Sequence, residues 1–167
     1  MPCMHPSRST YSRLKDHYNI LDIAGFAGLG TTGYQPQINL DGRCFPHFSN
    51  LSEMWDKGAD YTALFPNVLI GVHNDHYFNI ILSPDGTGRT NEQIEIYYAD
   101  EAAPGENYAA LRAINTKMWK TVFSENVQVV EDIQLGRSAP GFDGGKFSAV
   151  MDESTHHFHK WVAKNLE

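Results

Sequence analysis

Cysteine is almost missing from this chain. Its 167 residues hold two, Cys3 and Cys44. Two are too few for a disulfide framework, so a reducing, cytoplasmic compartment is expected. Positive charge is short as well: 13 Lys and Arg stand against 20 Asp and Glu, a net charge of −7. Phosphate backbones need a net basic face, so this balance argues against a nucleic-acid partner. No apolar run approaches the roughly 18 residues of a membrane span, and no membrane association is expected. The opening MPCMHPSRSTYSRLKDHYNI lacks the apolar core of a secretory signal. A nucleophile elbow, a phosphate loop and an HExxH helix are absent too, which removes the commonest hydrolase, nucleotide and zinc-protease signatures. Internal repeats and low-complexity tracts are absent.

What is present is ordinary for a folded chain: 41% apolar and 20% charged residues. That length and composition predict one domain, or part of one, with a substantial core. Residues 1–32 read as irregular. Within them AGFAGLGTTG (24–33) carries four glycines and reads as a flexible loop, since it follows no clear strand and opens no helix as a dinucleotide loop would. Residues 34–48 suggest a short strand, a DG turn and a second extended piece. SNLSEMWDKG (49–58) suggests a short helix capped by Ser49 or Asn50 and ended at Gly58.

The middle is more sharply patterned. NVLIGVH (67–73) and YFNIILSP (77–84) flank NDH, predicting an antiparallel hairpin. RTNEQIEIYYA (89–99) alternates at Gln93–Ile94–Glu95–Ile96, predicting a third strand with one wet face after the PDGTGR turn. From Asn107 the period becomes helical, with Leu111, Ile114, Met118 and Val122 at steps of three or four, running to Gly136. So long a helix invites a kink or break. A Gly/Pro/Ser-rich loop spans 138–150, and a last helix is expected at about 153–165. The order predicts an α+β fold, a long helix across an antiparallel sheet.

Four segments together resemble a known family. They are PCMHPSRSTYSRL near the start, FPNVLIGVHNDHYFNIILSPDGTGRT, VFSENVQVVEDIQLG and the closing HFHKWV. In this order they resemble the catalytic domain of Rieske-type non-haem iron oxygenases, the ring-hydroxylating alpha subunits. The resemblance covers about residues 1–20 and 61–166. It implies a helix-grip (START-like, SRPBCC-type) domain, here incomplete, so that 1–167 would be a partial catalytic domain without the Rieske domain that precedes it in the family. It implies a mononuclear Fe(II) held by two histidines and a carboxylate, with a [2Fe–2S] centre only in a full-length relative. It also implies O₂, a small organic and possibly aromatic substrate, and electrons from an NAD(P)H-dependent reductase. The reaction implied is hydroxylation or oxidative demethylation.

Carried over by position, His5 with Pro6 stands at the second histidine ligand. The first would lie before Met1. Phe123, Glu125, Asn126, Glu131, Gln134 and Gly136 match the helix that supplies the carboxylate, and the ligand position itself falls on Asn126. An aspartate would bring negative charge to the metal, whereas Asn offers a neutral amide oxygen. His17 is a substitute ligand candidate. Substrate is expected between sheet and helix, against apolar residues of 64–82 and 111–122. The alternative from another class is a catalytically inactive ligand-binding or interaction protein on the same scaffold. A fragment with open sheet edges would also form homo-oligomers.

Other clusters read more blandly. Cys3, His5, Cys44 and His47 are the ligand types of a Rieske centre or of zinc, but their spacing fits neither. His156, His157 and His159 read as polar residues opening an amphipathic helix whose inner face is Phe158, Trp161 and Val162. Glu125, Glu131 and Asp132 read as a wet helix face. His73 and His76, flanking a turn, are expected to be solvated.

Overall fold

A computed structural model describes residues 18–21, 26–31, 42–56, 58–148 and 152–166. Among these residues six strands make one antiparallel sheet in meander order: β1 (Tyr18–Leu21), β2 (Phe26–Thr31), β3 (Ala59–Leu64), β4 (Val68–Val72), β5 (His76–Pro84) and β6 (Thr90–Tyr98). Two helices follow, α1 (Ala109–Arg137) and α2 (Glu153–Leu166). This is the expected α+β arrangement of a long helix against an antiparallel sheet.

The hairpin of β4 and β5 closes at Val72↔Tyr77, and β5 pairs with β6 from His76↔Tyr98 to Pro84↔Thr90. Strand alternation sends Phe78, Ile80 and Leu82 of β5 toward α1, with Ile96 beside them. Phe78, Ile80 and Trp119 are buried together, and Tyr61, Met118, Val122 and Phe123 pack around them. A second cluster holds Phe45, Ala103 and Leu111, flanked by Tyr98 and Tyr108. Leu111, Asn115 and Trp119, at steps of four, are the buried residues of α1. They mark the stripe that faces the sheet.

Helix α1 runs for 29 residues as one element, but only its first half is docked. Beyond Phe123 its large apolar residues lie open: Val127 is 51% exposed, Val130 62%, Ile133 51% and Leu135 72%. Helix α2 lies against β2, with Phe158 and Trp161 packed on Phe65 at ring distances of 4.9 and 5.7 Å. The expected inner face of this last helix is therefore used.

Three local expectations are corrected. The glycine-rich stretch 24–33 is not a loop throughout: 26–31 is strand β2, paired on both sides, with Gly28 opposite Thr62 and Gly30 opposite Asp60. Two flanking ladders outweigh glycine's weak strand preference. Residues 18–21, within the stretch expected to be irregular, form its edge partner β1. The helix expected at 49–58 shrinks to one 3-10 turn, Glu53–Asp56. Asn50 sits at φ 62°, a left-handed conformation that Asn tolerates but a helix start does not use. The strand expected in 34–48 falls partly outside the described residues, and 42–48 form no strand.

Candidate functional site

The turn between β4 and β5 is where the molecule departs most from its sequence pattern. His73, Asn74, Asp75 and His76 are all buried, at 0–1% exposure. A polar turn at the end of a hairpin ordinarily faces water, so the expectation that His73 and His76 are solvated is wrong. The cause is what lies over the turn. Trp119 of α1 and Tyr61 of β3 close on it, and its backbone is tied down on both sides. Phe48 N–H donates to the Asn74 carbonyl at 2.8 Å, and Ala99 N–H donates to the Asp75 carbonyl at 3.0 Å.

Within this pocket the hydrogen bonds fix the imidazole protons. Trp119 Nε1–H donates to His76 Nε2 at 2.8 Å. Indole nitrogen is a donor only, so His76 Nε2 is the acceptor and the ring proton sits on Nδ1. That Nδ1 lies 2.7 Å from Asp75 Oδ1. The result is a one-way chain, indole to imidazole to carboxylate, wholly buried. Beside it, His73 stacks on His76 at 4.5 Å and 14°, and its Nε2 meets the Tyr61 hydroxyl at 3.2 Å.

Burial sets the ionisation here. It pushes the His73 imidazole down to about 3, helped by the neighbouring His76. It pushes the Tyr61 phenol up to about 12. Both therefore stay neutral near pH 7, because a charge with no water around it is costly. Asn115 lies one turn before Trp119 on the same face, also fully buried. Neither side-chain atom of Asn115 has a hydrogen-bond partner among the described residues.

Of the residues expected to hold metal, only Asn126 falls among the described residues. His5 and His17 lie outside the described residues, as does Cys3. Asn126 is exposed, and its amide N–H₂ donates to the Val122 carbonyl at 3.2 Å. It sits seven residues past Trp119, two helical turns along the same face. Among the described residues no group of three or more His, Cys, Asp or Glu stands close enough to hold a metal ion. The described residues thus do not by themselves fit a mononuclear iron. Cys44 and His47 are exposed, with Cys44 a free thiol. Glu125, Glu131 and Asp132 form the expected wet face, where Gln128 donates to Asp132 at 2.9 Å. His156 and His159 flank Phe147 at 5.0 and 5.1 Å.

Sequence reasoning missed the Asp75–His76–Trp119 chain. The only signal was HNDH, two imidazoles and a carboxylate between apolar strands with no glycine among them. Its partner lies 43 residues away, beyond the reach of local pattern.

Comparison with known proteins agrees with the resemblance. The family model of the ring hydroxylating alpha subunit (catalytic domain) matches residues 1–167. Putrescine 2-hydroxylase of Ralstonia nicotianae is 26% identical over 157 residues, covering 90% of this chain and 41% of that protein. The chloroplastic choline monooxygenase of Spinacia oleracea is 22% identical over 110 residues, covering 65% of this chain and 24% of that protein. The corresponding enzyme of Amaranthus tricolor is 22% identical over 108 residues, with the same shares. The chain therefore spans less than half the length of each relative. No helix among the described residues is long and apolar enough to cross a membrane.

Proposed function

The chain belongs to the ring-hydroxylating alpha-subunit family, and from that premise we propose that it is the C-terminal catalytic portion of a Rieske-type oxygenase acting on a small alkylammonium substrate. The observation that carries the family part is the match across residues 1–167. The substrate class rests on the relatives' names, a putrescine hydroxylase and choline monooxygenases, both acting on cationic amines. The chain's own residues are suited to such a ligand. Aromatic rings crowd the space between sheet and helix. Trp119 stacks on Phe123 at 5.5 Å, and Phe78 meets both edge-on at 4.6 and 5.4 Å. Aromatic faces attract ammonium groups, more strongly where water is excluded. The buried Asp75 carboxylate adds negative potential behind them.

In this reading O₂ and a reductase-supplied electron pair act in the complete system, and the iron, when bound, supplies the oxidising chemistry. His5, with His17 as substitute, and the helix position of Asn126 are its proposed holders. Sheet and α1 would bind the substrate, orient it and keep water away from it. A second reading, a ligand-binding protein without catalysis, draws support from Asn126 itself, since a neutral amide replaces the carboxylate the iron needs.

Two measurements test these parts separately. Calorimetric titration compares choline with its uncharged tert-butyl isostere. The proposal expects the cation to bind at least several-fold tighter, and equal or absent binding of both sinks the alkylammonium assignment. Iron content after anaerobic reconstitution compares the parent chain with Asn126→Asp. Iron retained by the variant supports position 126 as a ligand position. Iron retained by neither removes the metal assignment and leaves the binding-protein reading.

A further inference from the structure

We infer that Trp119 is a buried redox site, a tryptophan poised to give up an electron to one-electron oxidants and its proton to His76. The inference rests on the hydrogen-bond chain and holds whether or not this chain carries iron.

Losing an electron from indole makes its N–H strongly acidic, so oxidation is easiest where a base already holds that proton. Here the base is in place. The Nε1–H donates to His76 Nε2 at 2.8 Å, and the far side of the imidazole rests on Asp75 at 2.7 Å. All three side chains are nearly or fully buried, with Trp119 at 6% exposure and the other two at 0%. Low surrounding polarity strengthens each bond and lets the carboxylate polarise the chain through to the indole. The step balances simply. A hydroxyl- or carbonate-type radical, a by-product of oxygen reduction, accepts one electron from the Trp119 ring. The indole proton crosses to His76 Nε2. A neutral indolyl radical and an imidazolium facing the Asp75 carboxylate remain. A small thiolate then returns one electron, becoming a thiyl radical, and the proton moves back.

Tyr61 offers the natural comparison. Its hydroxyl also meets a buried histidine, at 3.2 Å. Yet that bond is longer, and burial makes His73 a poor proton acceptor, with its imidazole pushed down to about 3. The geometry therefore places the radical on Trp119. Contact with half-buried Phe123 at 5.5 Å gives the electron a short way out to the surface.

The test uses tris(bipyridyl)ruthenium(III), generated by a flash, on the full chain carrying Trp55→Phe and Trp161→Phe so that Trp119 is the sole indole. The expected product is the neutral, deprotonated indolyl radical, forming several-fold more slowly in D₂O. In His76→Gln, which keeps an acceptor but no base, the deprotonated radical and the isotope effect should both be lost. The same radical at the same rate in His76→Gln overturns the proposal, as does no radical at Trp119 in the parent background. A second measurement needs no variant. The unaltered chain is exposed to carbonate radical and its oxidation products are mapped by mass spectrometry. Products at buried Trp119 ahead of the more exposed Trp55 and Trp161 support the proposal. Damage that follows exposure alone, with Trp119 clean, overturns it.

Discussion

At the scale of single residues, the buried turn dominates the energetics. Trp119→Phe keeps most of the apolar contact but withdraws the donor from His76 Nε2. Removing one partner of a buried hydrogen bond costs about 1–3 kcal/mol, and urea unfolding should read a loss of that size. His73 makes a second, pH-dependent contribution. Its imidazole falls from 6.5 to about 3 on folding. Between those values the unfolded chain binds more protons than the folded one, so stability is full above pH 6.5 and declines as pH drops toward 3. At about 1.4 kcal/mol per pH unit the ceiling on this contribution is on the order of 4–5 kcal/mol. Tyr61 acts at the other end. Its phenol is raised from 10 to about 12, so its contribution is present below pH 10 and is lost as pH rises toward 12. Thermal melts across pH should show both flanks, and His73→Gln should flatten the acidic one. An acidic flank unchanged in His73→Gln would assign acid unfolding to the carboxylates instead.

At the scale of elements, what pattern revealed and what it missed divide along one line. The β4–β5 hairpin, β6 and α1 were legible because each presents an apolar face at a period of its own, as at Phe78, Ile80 and Leu82 or Leu111 and Trp119. Strand β2 was not, because Gly28 and Gly30 carry no face. Its strand character comes from Thr62 and Asp60 across the ladder, which a local reading cannot supply. The buried histidines were illegible for the same reason, since their burial is conferred by Trp119, 43 residues from His76. Position 126 was singled out only through resemblance, and the residues expected to join it at a metal lie outside the described ones. Gly71 tests how closely two elements mesh. A Cβ at this position of β4 would overlap the ring of Phe78, which is 4% exposed and packed on Trp119. Overpacking of this kind costs about 1–3 kcal/mol. Gly71→Ala should therefore lower the urea midpoint and perturb the near-ultraviolet signal of Trp119, whereas Gly88→Ala, in a turn with open space around it, should leave that signal unchanged.

At the scale of the whole molecule, α1 joins two regions of opposite character. Its first half is sealed against the sheet through Leu111 and Trp119. Its second half carries Val127, Val130, Ile133 and Leu135 at half exposure or more. Phe142 and Phe147, each 48% exposed, follow in the adjoining loop. Val127, Val130 and Ile133, at steps of three, share one side of the helix, and exposed apolar residues gathered in this way are uncommon on a monomer and mark a surface that associates. Hydrogen exchange should divide the helix accordingly: amides of 113–122 protected to near the global unfolding free energy, those of 127–137 exchanging by local opening. Sedimentation should show concentration-dependent self-association of the chain, and Val130→Lys with Ile133→Lys should shift it toward monomer without changing the pH flanks set by His73 and Tyr61. The two readouts are separable because Val130 lies eleven residues past Trp119, about 16 Å along the helix at 1.5 Å per residue. A chain that stays monomeric at all concentrations would mean that the exposed half of α1 does not drive association. Loss of the His73 flank in the double lysine variant would mean that the two halves of α1 are energetically one unit, and that the buried Asp75–His76–Trp119 chain reports on the whole helix rather than on its docked half.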